Sequence, residues 1–153
     1  MTRLLDRVSI GLLMALALML GSCEPAYPAE VSEVIIQTIA MESADQPFEG
    51  QVAVASVIIN RARRAGKSLE WVVLRPRQFS CWNSPKWAFS WLSRHYDSKA
   101  RSTALKALEM AINAKEGHTR LTHYHTLDVM PYWAKGHKPA LQIGTHLFYE
   151  GIK

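Results

Sequence analysis

Apolar residues recur at helical spacing through the first two thirds of the folded chain and at alternate positions beyond residue 121. Ser32 precedes Glu33-Val34-Ile35, and Ser43 closes a helix of about three turns. The run Val52-Ala53-Val54-Ala55-Ser56-Val57-Ile58-Ile59 is apolar nearly all round, which marks residues 48–64 as a central buried helix. Its β-branched residues would suit a strand equally. The polar end, Asn60-Arg61-Ala62-Arg63-Arg64-Ala65, reads as a helix running out to solvent with Gly66 as its C-cap. Residues 68–74 add a helical turn or two, stopped at Arg75-Pro76-Arg77 and followed by a loop over 78–82. Asp97 or Ser98 caps a helix over 99–115, with Ala104, Leu105, Leu108, Ala111 and Ile112 on its apolar side and Gly117 ending it. Residues 122–125 and 141–149 read as strands, joined through 131–136. In such a strand His123 and His125 point one way and Tyr124 the other. The pattern predicts an α+β domain, helical first and antiparallel second, with a cleft between the parts.

The N-terminus has a different character. Arg3 and Arg7 precede an uncharged apolar run over 8–20, followed by Gly21-Ser22-Cys23. That run is shorter than the roughly 20 residues of a membrane-spanning helix and suits a signal peptide. Leu20-Gly21-Ser22-Cys23 resembles the bacterial lipobox, in which the cysteine is lipidated and becomes the first residue. The expected organisation is a lipoprotein signal peptide over 1–22, a tether over 23–30 containing Pro25 and Pro28, and one domain over 31–153. The protein is then exported and held at the membrane through a lipid on Cys23; an uncleaved signal anchor is the alternative. The net charge is +5, and loss of residues 1–22 removes two arginines and one aspartate, leaving +4. A basic exported protein suits anionic envelope polymers, whereas export separates it from nucleic acid. Cys81 then has no cysteine to pair with, and beside Phe79 and Trp82 it reads as a small packed residue rather than a nucleophile. The chain is read as a monomer without a metal or other cofactor.

Glu42 stands out as candidate chemistry. It lies on the helical face of Ile35, Thr38 and Ile39, on the buried side of its helix. A carboxyl drawn out of water prefers its neutral form, which suits a general acid working near neutral pH. It could equally cap the next helix or pair with an arginine. Trp82, Trp87, Trp91 and Phe89 concentrate aromatic faces in one region, either for stacking on sugar rings or as core or a hydrophobic lid. Of that neighbourhood Gln78, Phe79 and Trp82 are the residues expected to face a ligand.

Six segments in order resemble the SleB-type cell-wall hydrolases, the family of the spore-cortex-lytic germination enzyme. They are residues 41–51 around Glu42, 52–61, Gln78-Phe79-Ser80-Cys81-Trp82, Thr122-His123-Tyr124-His125, Pro131-Tyr132-Trp133-Ala134 and 143–149. The resemblance covers residues 34–150 or so. It implies a lysozyme-like α+β fold and cleavage of peptidoglycan glycan strands by lytic transglycosylation. Glu42 matches the family's catalytic acid, and Tyr124 is implied as its partner in stabilising developing charge. Gln78, Phe79, Trp82, His123 and Trp133 would line the sugar sites. The chain departs from the family where a Gly-Glu pair usually follows the catalytic acid: Asp45-Gln46 stands there, one acid fewer near the site. An upstream peptidoglycan-binding domain, often present in the family, is also lacking.

One carboxyl suffices for this chemistry if the substrate's own hydroxyl is the nucleophile. Plain hydrolysis ordinarily needs a second acid, roughly 5 Å away or farther, for which Asp128 and Glu49 are the sequence candidates. A zinc-dependent alternative would gather His123, His125 and His146 around a metal with Glu42 as base. A third reading is an envelope lipoprotein that binds glycan without cutting it.

Overall fold

The computed structural model describes residues 31–114 and 120–152. The signal peptide, the tether, Cys23 and Gly117 lie outside the described residues. Five helices precede a three-stranded sheet. They are α1 (Glu33–Glu42), α2 (Phe48–Ala65), α3 (Leu69–Leu74), α4 (Pro85–His95) and α5 (Ser98–Asn113). Short 3₁₀ turns occupy Ser80–Trp82 and Tyr132–Ala134. Strands β1 (Leu121–Thr126), β2 (Leu141–Ile143) and β3 (His146–Glu150) pair antiparallel in the order β1-β3-β2. None of the described helices is long and apolar enough to cross a membrane.

The ambiguous apolar run is helix. Ala53, Val54, Ala55, Val57 and Ile58 are all fully buried, so α2 forms the axis of the core. Ile35, Ile36 and Ile39 of α1, Val73 of α3 and Ala104, Ala107 and Leu108 of α5 close around it. Each large aliphatic side chain so buried contributes about 1.5–3 kcal/mol. Ile112, expected on the apolar side of α5, is 42% exposed instead, because its helix overhangs the core near its end.

The end of α2 departs from expectation before reaching its cap. Asn60 is buried and donates from Nδ2 to the Leu121 carbonyl at 2.9 Å, while Arg61 donates from Nε to the Thr122 carbonyl at 2.6 Å. Two polar side chains that read as solvent-facing thus fasten helix to sheet. Only beyond them does α2 run out to Gly66, whose φ of +61° makes the left-handed C-cap. The aromatic stretch read as a loop or lid contains α4, started by Pro85 at its first turn.

The hairpin between β2 and β3 comes close to the loop joining α1 and α2. Gln46 is buried in that loop, donates from Nε2 to Thr145 Oγ1 at 2.8 Å and accepts from the Thr145 amide at 3.1 Å. Gly144 permits the approach: its φ is +55°, and a Cβ there would run into Gln46 Oε1 and Pro47 Cδ. Gly144→Ala should therefore lower the unfolding free energy by about 1–3 kcal/mol. Urea denaturation measures this, and an unchanged midpoint would contradict the close approach.

Candidate active site

Glu42 is the last residue of α1, half-buried at the floor of an open cleft of about 460 Å³. Three donors converge on its carboxylate from two separate segments. The Cys81 amide and Ser80 Oγ reach Oε1 at 2.8 and 3.2 Å. The Tyr124 hydroxyl reaches Oε2 at 2.8 Å. The 3₁₀ turn that presents Ser80 and Cys81 is pinned to α1 by Trp82, whose Nε1 donates to Thr38 Oγ1 at 2.9 Å. Tyr124 is placed by β1, with its ring against His146 and Phe148 at 5.0 and 5.6 Å between centroids. Burial, and then the neighbouring Glu42 charge, hold the Tyr124 phenol well above its usual pKa, so it remains a donor.

The cleft has three walls. Asp45 and Arg61 flank Glu42 on the helical side; Gln78, Ser80, Asn83 and Trp87 stand on the loop side; Tyr124, Thr126 and His146 come from the sheet. Asp45 Oδ1 accepts a 2.8 Å hydrogen bond from Gln46 Nε2. Gln46 thus uses its amide group in both directions, toward Asp45 and toward Thr145, where a glutamate could not donate to Asp45. Of the Asp45-Gln46 pair that stands in place of the family's Gly-Glu, Asp45 lines the cleft. Neither Asp128 nor Glu49 lines it. Burial lowers the pKa of the Arg61 guanidinium, with Tyr124 and Glu42 acting in the opposite sense.

The predicted ligand-facing residues divide. Gln78 lines the cleft with Glu42 and Tyr124. Phe79 does not: it is 2% exposed, part of the core, with the Arg61 guanidinium 5.3 Å above its ring. Trp82 packs against the core and is committed to Thr38. His123 and Trp133 lie on the opposite face of the sheet from Tyr124, their rings tilted against each other at 4.9 Å between centroids. The aromatic residue that does reach the cleft is Trp87, 47% exposed on α4. Its position as the second helical residue after Pro85 is the signal that would have turned it outward.

The sheet register also separates the imidazoles proposed as a zinc set. Thr126 pairs with His146 and Tyr124 with Phe148, so these four share the cleft face. His123 and His125 point the other way, where His125 Nε2 meets the Tyr149 hydroxyl at 2.8 Å. Among the described residues no three His, Cys, Asp or Glu side chains come together as a metal site. Cys81 is 3% exposed, and burial together with Glu42 pushes its thiol far above the usual range. Its contribution at the site is its backbone amide.

A second groove of about 480 Å³ is lined by Trp91, His95 and Asp97, but Asp97 is occupied in capping α5 through the Ala100 amide at 2.8 Å. The convergence of donors on an acid is found in the Glu42 cleft. A carboxyl held by donors in an open cleft is placed to act as a general acid or base.

The chain belongs to the cell wall hydrolase family, which it matches over residues 45–149. The matched span opens at Asp45, just past Glu42. Two solved structures resemble it over most of its length. The catalytic domain of the Bacillus cereus SleB protein is 26% identical, with a TM-score of 0.56 over 79% of this chain and 93% of that one. The catalytic domain of the germination-specific lytic transglycosylase SleB from Bacillus anthracis is 27% identical, with a TM-score of 0.57 over 79% of this chain and 98% of that one. No curated protein matches the chain significantly. The fold is accordingly the lysozyme-like α+β fold of the SleB-type hydrolases.

The far face of the sheet has its own electrostatic signature. Burial, then the charges of Arg61 and Arg64, depress the His123 pKa from 6.5 to about 4. Because the unfolded chain takes up this proton near 6.5 and the folded chain only near 4, stability falls as pH drops through that window and is unaffected above it. An NMR titration of the His123 ring should show a midpoint near 4; a midpoint near 6.5 would contradict the buried, arginine-flanked setting.

Proposed function

We propose that the protein cleaves the glycan strands of peptidoglycan as a lytic transglycosylase, with Glu42 as its single acid–base group. The observation that carries this reading is the cradle of Ser80, Cys81 and Tyr124 donors that holds Glu42 at the floor of the cleft. In the first step the Glu42 carboxyl gives its proton to the glycosidic oxygen as the C1–O bond breaks. The C6 hydroxyl of the same muramic acid residue then attacks C1. Its proton passes to the Glu42 carboxylate, which restores the acid and leaves a 1,6-anhydro end. No water is consumed, so no second carboxylate is required. Tyr124, held protonated beside the reacting centre, steadies the carboxylate between the two transfers. Gln78 and Trp87 offer an amide and an aromatic face to the sugars along the same wall. The Bacillus anthracis relative is described as a lytic transglycosylase, which supports this reading.

Plain hydrolysis is a second reading, favoured by one observation: Asp45 in the cleft is a second carboxylate. It would activate water in place of the substrate's hydroxyl.

Glu42→Gln preserves the shape of the side chain but cannot deliver the proton. Its rate of sacculus lysis should fall by about a hundredfold or more, while co-sedimentation with sacculi is retained. Lysis at the wild-type rate would sink the assignment.

The reading includes export and a lipid on Cys23, supported by the basic, apolar and lipobox-like order of residues 1–23. In cells, palmitate label should enter the wild-type chain and be lost in Cys23→Ser. Label that persists in the variant would refute the anchor.

A further inference from the structure

Arg61 and Gln78 line two hollows at once. One is the Glu42 cleft; the other, of about 280 Å³, is lined further by Arg64, Arg75, Trp71 and His123. The two hollows therefore meet at Arg61 and Gln78. Its lining contains three guanidinium groups and no carboxylate. The ion pairs among the described residues, Arg101 with Glu33 and Arg120 with Glu150, lie elsewhere and involve none of the three.

The guanidiniums are placed but not saturated. Arg61 Nε is taken by the Thr122 carbonyl, and its Nη1 lies only at 3.4 Å from the Gln78 oxygens. Arg64 gives one Nη1 bond, at 3.2 Å, to the Ile152 carbonyl. Arg75 rests over the Trp71 ring at 5.0 Å. A guanidinium carries five N–H donors in a fork that matches a carboxylate, and these contacts take up only part of that capacity. Burial first, and then the charges of Arg61 and Arg64, lower the His123 pKa. An imidazole kept neutral there adds hydrogen-bonding capacity without an anion to compete.

Peptidoglycan supplies the complementary chemistry at the matching place. Its muramic acid carries, on the lactyl ether beside the glycosidic bond, a short peptide with free carboxylates. A muramic acid seated against Gln78 would direct that peptide off the glycan axis, toward the adjoining hollow. We propose that the Arg61, Arg64 and Arg75 hollow is a subsite for the carboxylates of the stem peptide, making peptide-bearing glycan the preferred substrate over bare glycan. This rests on the glycan-cleavage reading above and extends it to the part of the substrate that is not cut.

The test compares the full chain on two soluble substrates: peptide-bearing glycan chains and the same chains after an amidase has removed the peptides. The wild type should favour the peptide-bearing chains in kcat/KM by about tenfold, the scale of one or two charge-assisted hydrogen bonds at a partly wet site. Arg64→Gln with Arg75→Gln should abolish most of that preference, and Arg75→Gln alone, an exposed change whose guanidinium rests over Trp71, should reduce it. Equal cleavage of both substrates by the wild type would overturn the subsite while leaving glycan cleavage intact. A preference unchanged in both variants would also overturn it. Cleavage of neither substrate would overturn the glycan-cleavage reading itself. Stronger inhibition by soluble poly(glycerol phosphate) than by isolated stem peptide would assign the hollow to phosphate and count against the proposal.

Discussion

A carboxylate at the C-terminal end of a helix faces the negative end of the backbone dipole, and Glu42 sits there, half-buried. The arrangement persists only if donors from elsewhere satisfy both oxygens. The fold provides them by bringing the 3₁₀ turn of Ser80 and Cys81 to one oxygen and Tyr124 of β1 to the other. Much of the remaining architecture serves that convergence. Trp82 pins the turn to α1 through Thr38, while Asn60 and Arg61 pin β1 to α2. The acid is therefore fixed by three segments that are distant in sequence, and a shift in any one of them would disturb the hydrogen bonds to it.

Arg61 joins this support to the electrostatics of the site. Its Nε holds the sheet, its guanidinium covers Phe79, and its charge acts on Glu42, Tyr124 and His123. One buried-side arginine thus faces both the proton-transfer cleft and the basic hollow beside it. On the opposite side of Glu42, Gln46 fixes Asp45 and ties the loop after α1 to the β2–β3 turn. The rigid floor and the charged shoulders of the cleft come from the same short list of polar side chains.

Periodicity made the helices, the antiparallel ending and Glu42 legible in the sequence, because burial of one face leaves a repeating apolar signal. The same rule carried information about the site. Alternation along β1 already separates Tyr124 from His123 and His125, and the register puts His146 with Tyr124. The family resemblance implies sugar-lining roles for His123 and Trp133, but both sit on the face of the sheet away from Tyr124. Phe79 and Trp82 read as ligand-facing on composition; Phe79 is buried and Trp82 packs half-buried against the core, so the turn that presents Ser80 and Cys81 has an apolar anchor on either side. Local sequence could not show that Asn60 and Arg61 would meet β1, since those bonds span 61 residues. Nor could it show that Asp45 would face the cleft, which depends on Gln46 reaching Thr145 across 99 residues.

The central claim concerns what replaces water at the reacting carbon. With one acid held in a cradle, the substrate's own hydroxyl completes the reaction; with Asp45 drawn in as a base, water would do so. Mass spectrometry of the fragments released from purified sacculi by the wild-type chain distinguishes these directly. The account predicts 1,6-anhydromuramyl ends on the released fragments. Reducing muramic acid ends would contradict it and make Asp45 the second catalytic carboxylate to test.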